Sequence, residues 1–510
     1  MTSGFRAATN VASSWLKLAV QLAVGVVVSP FIVHRLGDAA FGIWVLVFSV
    51  TSYFGLLDFG VRASIGRYVA RYAALGDLDQ LRRFVNTSLA ACSILGAGVL
   101  LITLAGSEYL GVFFKIPPGD LGAARLLFVL IGADVALAFP LSIFGCVLEG
   151  YQNFWPLNVV QIVAALVRGG LSVLVLGLGG GLVAVAAVTV GVNLLRHFAC
   201  AALAFRTTPL RLGAQYLDRS VVGQLAGYSA TAFMIFIAET LRFQTDAVVI
   251  GAFLSAAAVT YFAIGSKLVD YASSIVVSMS QIFTPMASHH DASGDQEKVR
   301  RVFLAGNRAC ALVIFPLCAV LILLGKPAIE LWMGAKYLVS YPILVLLILP
   351  RTLLLAQSGS IRILLGLGRQ RTFALMTMLD GLANLLLSIA LVKPWGILGV
   401  AWGTAIPLAC TSLLFLPRHV CRMLHVPLRT FLLQAYQVPL ALTIPMACVL
   451  WVLRLWLPVP GYGGLLLEAG VAGLVYCAGL AWWILPASSG AKGRRARFSE
   501  LWSHALGKEL

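Results

Sequence analysis

A chain of 510 residues that is 60% hydrophobic and only 11% charged, with a mean hydropathy of +0.93, is not a water-soluble domain, which carries about 25% charged residues. A net charge of +17 would suit nucleic acid in a soluble protein, but here Lys and Arg lie mainly in loops and are not interleaved with aromatics, so they read as charge that sets membrane orientation. The nine cysteines show no CxxC spacing and no pairing with histidine, which argues against a disulfide framework or a metal centre.

Apolar stretches of 18 or more residues recur from end to end, each long enough to cross a hydrocarbon layer of roughly 30 Å. Runs such as Val20–Val33 and Ile343–Leu349 are apolar on both faces, so they read as helices and not as barrel strands, which alternate. The first run follows only Arg6 and Lys17 and ends at Pro30, His34 and Arg35 without an A-x-A cleavage site, which predicts a retained helix and not a signal peptide. In chain order the expected spans are 11–34, 40–64, 84–107, 122–148, 156–178, 181–205, 221–251, 257–286, 302–324, 340–366, 372–392, 396–422, 431–456 and 463–485. The expected fold is therefore an all-α polytopic membrane protein of about fourteen transmembrane helices. The connections are short and leave no room for a nucleotide-binding or glycosyltransferase domain.

Positive residues gather after even-numbered spans. Arg67, Arg71, Arg82 and Arg83 follow the second, Arg206, Arg211 and Arg219 the sixth, Lys298, Arg300 and Arg301 the eighth, and Arg369 and Arg371 the tenth, while Arg418, Arg422 and Arg429 surround the end of the twelfth. The positive-inside rule places this side, and both termini, in the cytoplasm. Near the C-terminus, Lys492, Arg494, Arg495 and Arg497 precede Phe498, Leu501, Trp502, Ala505 and Leu506 at helical spacing. That is the pattern of an amphipathic helix on an anionic leaflet, with a solvated tail as the plainer alternative.

A shift of 218 residues (76 to 294) aligns three landmarks. Gly76-Asp77 with Arg82-Arg83 falls on Gly294-Asp295 with Arg300-Arg301, Gly150-x-Gln152 on Gly368-x-Gln370, and Pro209-Leu210-Arg211 on Pro427-Leu428-Arg429. Charged loop motifs that recur at one offset predict a duplication. The expected organisation is an N-lobe over 1–215, a C-lobe over 216–430 in the same orientation, a helix pair in 431–488 and a basic amphipathic cytoplasmic tail over 489–510. Two parallel six-helix lobes can enclose a cavity and rock about it, which is a transporter's architecture.

The stretch from Arg35-Leu36-Gly37-Asp38 through Phe41-Gly42-Ile43-Trp44 leads into Tyr53-Phe54-Gly55-Leu56-Leu57-Asp58-Phe59-Gly60, then Arg67-Tyr68-Val69-Ala70 and the Gly76-Asp77 loop. This resembles the N-terminal signature of the polysaccharide (O-antigen-type) flippases of the multidrug/oligosaccharidyl-lipid/polysaccharide exporter superfamily. The resemblance implies movement of an undecaprenyl-pyrophosphate-linked oligosaccharide from the cytoplasmic to the outer leaflet of the cell inner (plasma) membrane, by alternating access, for polysaccharide biosynthesis. It implies no enzymatic activity and no cofactor beyond a coupling proton or sodium ion. The implied partners are the lipid-linked oligosaccharide, membrane lipids and a polysaccharide polymerase with its chain-length machinery, with no nucleic acid. The family has no strict catalytic motif, so no residue's role transfers from it. An ion-coupled drug or metabolite antiporter of the same superfamily would share the fold and the repeat. A membrane glycan polymerase or ligase needs a large periplasmic loop, and every odd connection here is short.

A lipid pyrophosphate needs Arg or Lys, and coupling to an ion gradient needs a carboxylate at membrane depth. Midway along their spans lie Asp134, Arg168, Glu239, Arg242, Lys267, Asp270, Arg351 and Asp380, with Asp246 slightly further out. Their near balance of sign leaves mutual salt bridges as the plainer reading of any one of them. Glu239, Arg242 and Asp246, at i, i+3 and i+7, share a face of the seventh span, and Lys267 and Asp270 share one on the eighth. The repeat puts Gln21, Val24 and Val28 opposite the first three, and that asymmetry favours function over scaffolding. The expected pyrophosphate ligands are Arg242 and Lys267, followed by Arg168, Arg351 and Arg62. The expected ion-coupling groups are Glu239 and Asp270, followed by Asp246, Asp134 and Asp380, with an Asp134–Arg168 pair as an alternative. Arg62 forms an i, i+4 pair with Asp58 near the cytoplasmic end of the second span, where snorkelling to headgroups is the plainer reading. His289-His290 are read as part of a loop and Gly179–Gly181 as a tight turn, not as a metal site or a phosphate loop.

Overall fold

Lipid offers no partners to an exposed backbone, so long apolar segments close their hydrogen bonds internally and become helices. The computed structural model describes residues 3–58, 61–456 and 460–484, without the side chains of residues 3–8, 62–63, 224–232 and 484, and the described residues contain no strand. The first nine helices are α1 (Ser3–Leu36), α2 (Asp38–Ser52), α3 (Val61–Leu75), α4 (Leu78–Ser107), α5 (Leu110–Phe113), α6 (Leu121–Gly150), α7 (Phe154–Gly177), α8 (Leu182–Thr207) and α9 (Arg219–Phe253). The remainder are α10 (Ala256–Ser280), α11 (Phe283–Ala292), α12 (Gln296–Met333), α13 (Ser340–Ala356), α14 (Ser358–Gly366), α15 (Gln370–Cys410), α16 (Leu416–Met423), α17 (Leu428–Trp456) and α18 (Gly461–Ile484). Among the described residues, eleven helical runs are long and apolar enough to cross a membrane. One of these, Gln370–Met423, breaks at Gly396 (φ 57°) into two spans. With the charged α9 and α10, of 35 and 25 residues, the spans number about fourteen.

Several spans that the sequence presents as continuous are interrupted. The second runs as α2, a 3-10 stretch Tyr53–Asp58, and α3. Asp58 therefore ends a stretch with three residues per turn, while the Arg62 side chain expected to pair with it lies outside the described residues. The eighth ends α10 at Ser280 and resumes as α11, whose last turn holds His289 and His290 instead of a loop. The tenth breaks at Gln357 between α13 and α14. The expected amphipathic tail, 489–510, lies outside the described residues.

Packing divides the chain into two units, Met1–Ala263 with Ala374–Thr404, and Ile264–Phe373 with Ala405–Leu510. Thus α9 and the middle of α15 belong to the first unit, although the repeat assigns both to its second half. In the first unit α4 packs on α6, α1 on α7 and α6 on α8, while α9 lies against α2, α3 and α4. Helix association in lipid depends on close contact, so small residues occupy the crossings. A Cβ at Gly96 of α4 would stand 2.4 Å from the carbonyl oxygen of Ala136 on α6, and one at Gly132 would stand 2.2 Å from Cγ2 of Thr103. In the second unit α12 packs on α13, α14 and α17, with Leu324, Met446, Leu450, Ala472 and Tyr476 joining α12, α17 and α18. The stacked rings of Phe303 and Phe431, 4.9 Å between centroids, tie α12 to α17.

The repeat is visible in the backbone. Gly76 (φ 69°) and Gly294 (φ 72°) both adopt the left-handed conformation that favours glycine. Asp77 and Asp295 each cap the following helix, accepting the backbone N–H of Gln80 and Lys298 at 3.0 Å. The bond from the Asp77 N–H to the Tyr72 carbonyl (3.1 Å) recurs 218 residues on, from Asp295 to His290 (3.0 Å). Arg82 Nε donates to the Pro209 carbonyl at 3.4 Å and Arg300 Nε to the Leu424 carbonyl at 2.7 Å, so the first arginine of each pair closes the loop after its sixth span. The second landmark has a different register. Its left-handed residues are Gln152 (φ 58°) and Gly368 (φ 68°), two residues off the alignment of Gly150 with Gly368.

Candidate functional site

Among the described residues, the candidate ionisable side chains within the spans fall into three groups. The first is held between α9 and α15 of the first unit. Gly381 allows this approach, because a Cβ there would stand 3.0 Å from Cβ of Leu241 and 3.3 Å from the Ala238 carbonyl oxygen. Beside it Arg242 (3% exposed) pairs with Asp380 (4%) through a terminal guanidinium nitrogen. Asn384 donates to the Arg242 carbonyl at 3.1 Å. One turn on from Arg242, the Asp246 carboxylate (6% exposed) meets the Thr404 hydroxyl at 2.8 and 2.9 Å. That hydroxyl also lies 3.3 Å from Asn384 Oδ1 and 3.3 Å from the Val400 carbonyl. Four acceptor oxygens thus converge on a hydroxyl with one proton to give, an oxygen-rich arrangement of the kind that suits a hard cation or a proton.

The second group spans α6, α7 and α8 of the same unit. Asp134 accepts from Asn193 at 2.7 Å and lies within electrostatic range of Arg168 and Arg196. Arg196 also contacts His197 at 3.1 Å, while Arg168 is exposed. Two guanidiniums therefore act electrostatically on one carboxylate.

The third group belongs to the second unit. Lys267 and Asp270 are exposed on α10, and the Lys267 ammonium lies 5.8 Å from the Tyr271 ring centre. Arg351 of α13 donates from Nε to Ser273 at 3.1 Å and, with Lys267, acts on Asp270. Here too two cations lie within electrostatic range of one carboxylate.

Set against the sequence, Arg242 is enclosed with Asp380, so in this conformation its guanidinium is held by a carboxylate and not presented to a phosphate. Glu239 is exposed while Arg242 and Asp246 are buried, so the three do not share one environment despite their spacing. Arg242 belongs to the first unit and Lys267 to the second. Asp134 and Arg168 do belong to one cluster. The Arg62 side chain lies outside the described residues. Sequence reasoning missed Asn384, Ser388 and Thr404, whose neutral side chains carry no signal in a helix. It also missed Arg196 and Arg362, which the rule that ionisable residues inside spans are functional candidates would have found.

The fold is shared with solved transporters. A lipid II flippase, MurJ, in an inward closed conformation superposes with a TM-score of 0.70 at 14% identity, covering 92% of this chain and 97% of that one. A multidrug resistance MATE family transporter of the MOP superfamily, facing inward, gives 0.67 at 15% identity, covering 80% and 99%. By sequence the chain is 24% identical over 415 residues to the membrane protein EpsK of Bacillus subtilis (strain 168), covering 78% of this chain and 79% of EpsK. The profile of the polysaccharide biosynthesis protein family matches residues 35–342, and the chain is a member of that family.

Proposed function

We propose that this integral membrane protein moves a lipid-linked oligosaccharide, carried on a polyprenyl diphosphate, from the cytoplasmic to the outer leaflet of the plasma membrane. The observation that carries this reading is the local excess of cations inside the spans of the second unit, where Lys267 and Arg351 both lie within electrostatic range of Asp270 and Lys267 is exposed. A cation in mid-span is costly unless it meets an anion, and a diphosphate supplies one that accepts several charge-assisted hydrogen bonds. Arg168 and Arg196 offer the same excess in the first unit. The six-helix lobes 1–215 and 216–430 alternate access, the last two spans, in 431–488, add a further pair, and both termini face the cytoplasm. The chain acts as a transporter, not an enzyme. Ion coupling falls to Asp246, whose oxygen neighbours Thr404, Asn384 and Val400 can receive a proton or sodium ion. The polymerase and chain-length machinery are its expected partners.

The same charges speak against a cationic-drug antiporter, because like charge along the route repels the cargo. The test replaces Lys267 and Arg351 by Gln and scores surface polysaccharide in cells whose membrane level of the protein is verified. Loss of surface glycan with normal protein supports the reading. Normal glycan from the double variant, with altered susceptibility to cationic drugs, supports the antiporter.

A further inference from the structure

We propose that Arg308 of α12 holds the phosphate of an anionic phospholipid from the leaflet read as cytoplasmic, aimed by Gln434 of α17 and Trp483 of α18. The site lies within the second unit and is independent of what the protein transports.

One face of α12 meets the last two helices. Leu312 and Ala319 lie on it, one heptad apart, and pack with Leu450, Ala472 and Tyr476 of α17 and α18. The Tyr476 hydroxyl donates to the Leu312 carbonyl at 2.7 Å. One turn before Leu312 the same face carries Arg308, and apolar packing gives way to charge. Arg308 Nε donates to the Gln434 carbonyl, and the guanidinium carbon lies 5.9 Å from the centre of the Trp483 ring. Three helices thus fix one half-buried guanidinium. The residue 218 positions earlier in the repeat is Ala90, and the pair in 431–488 lies beyond the duplicated region. The cation is therefore present in the half that carries the extra pair and absent from the other.

The three residues also agree in depth. Arg308 stands about 9 Å of helix rise inside its expected span, Gln434 about 4.5 Å inside its own, and Trp483 within about 3 Å of the end of the last. An arginine stem carries its head outward over such a step, to the interfacial level that tryptophan favours. Among the described residues no carboxylate pairs with Arg308, whereas Arg242 has Asp380 and Arg301 has Glu297. A cation at this level is costly without an anion, and the bilayer itself supplies one in the phosphodiester of its lipids. A net-negative headgroup suits the site better than a zwitterionic one, whose own cation competes for the phosphate. Nε is the nitrogen bonded among the described residues, so the terminal pair forms the fork that meets phosphate in two parallel bonds. Exposed Leu432, Leu433 and Trp482 give the acyl chains an apolar wall. A lipid held there joins α12 to α17 and α18 and cements the added pair to the second unit.

The test uses the purified full chain in detergent, with phosphatidylglycerol as probe, phosphatidylcholine as comparator, and native mass spectrometry to count retained lipid. Wild type should hold phosphatidylglycerol about tenfold more tightly. Arg308→Gln should remove that preference, and Arg308→Lys, which keeps the charge but loses the fork, should retain part of it. Trp483→Ala should weaken it and Trp483→Phe should weaken it less. Arg301→Gln, further out on the same face of α12 and paired with Glu297, should leave it unchanged. Added phosphatidylglycerol should raise the melting temperature of wild type but not of Arg308→Gln. Melting without lipid verifies folding, and where the Gln variant does not fold, Arg308→Lys and Trp483→Ala decide, with unchanged preference in both overturning the site. An equal loss from Arg301→Gln would reduce the binding to diffuse surface charge. Displacement of the phospholipid by an equal concentration of farnesyl diphosphate would assign Arg308 to a transported headgroup. Either result overturns the proposal, as does equal affinity of wild type for the two lipids.

Discussion

The charged group between α9 and α15 and the one along α10 and α13 are both made of ions in apolar helices, yet they are built differently. The first has two carboxylates, Asp380 and Asp246, for one guanidinium, all 6% exposed or less. The second has two cations, Lys267 and Arg351, for one carboxylate, and its members are exposed or half-buried. Burial and charge balance, not depth in the span, distinguish a group closed on itself from one open to a ligand. Arg242 is the more prominent residue in the sequence, but it is enclosed with Asp380, while Lys267 and Arg351 lie in a more open setting within electrostatic range of Asp270.

Several measurements would break or sharpen this contrast. The largest effect is expected from Asp380→Ala, which strands the Arg242 charge in the interior. The loss should be about 3–5 kcal/mol, read as a lower melting temperature and loss of protein from the membrane. Replacing both partners with apolar residues, Arg242→Met with Asp380→Leu, should recover most of that stability, and a double variant as unstable as the single one would show that the pair does more than compensate its own burial. Lys267→Gln with Arg351→Gln should do the opposite, leaving melting nearly unchanged and removing surface glycan. If stability collapses there as well, the two groups are alike and the contrast fails.

Asp246→Asn should retain the fold, because an amide of the same shape still meets the Thr404 hydroxyl, while transport into vesicles loses its dependence on an imposed proton or sodium gradient. Equal gradient dependence in variant and wild type would remove Asp246 from coupling. Smaller still are the two repeated caps. Asp77→Ala should cost about 1 kcal/mol. At Asp295 the backbone N–H of Lys298, followed by the ammonium of the same residue, holds the carboxyl below the usual carboxylate range. Its contribution is thus present above the ordinary Asp value and is lost as the pH falls through the lowered one, so Asp295→Ala should lower the melting temperature at neutral pH and leave it unchanged in strong acid. The orientation of both caps can be checked at the same positions. Cysteines placed in the loops 76–83 and 294–301, in a cysteine-free background, should resist impermeant thiol reagents in intact cells.

The sequence by itself determined the membrane class, the number of spans and the duplicated Gly-Asp turn. Those depend on properties each segment carries alone, namely apolar length, loop charge and a glycine with positive φ followed by a capping Asp. It also singled out Asp134, Arg168, Arg242, Lys267, Asp270, Arg351 and Asp380, because an ion in an apolar helix stands out whatever it touches. Only the tertiary structure decided which ions meet. Asp380 lies 138 residues from Arg242, and Thr404 lies 158 from Asp246, so no spacing rule connects them. The break at Gln357 interrupts a span that composition presents as continuous, whereas the one at Gly396 falls where the sequence already separates two spans. The neutral Ser273, Asn384 and Thr404 gain their long-range partners only from what is packed beside them, since a hydroxyl or amide in a helix can equally bond its own preceding turn.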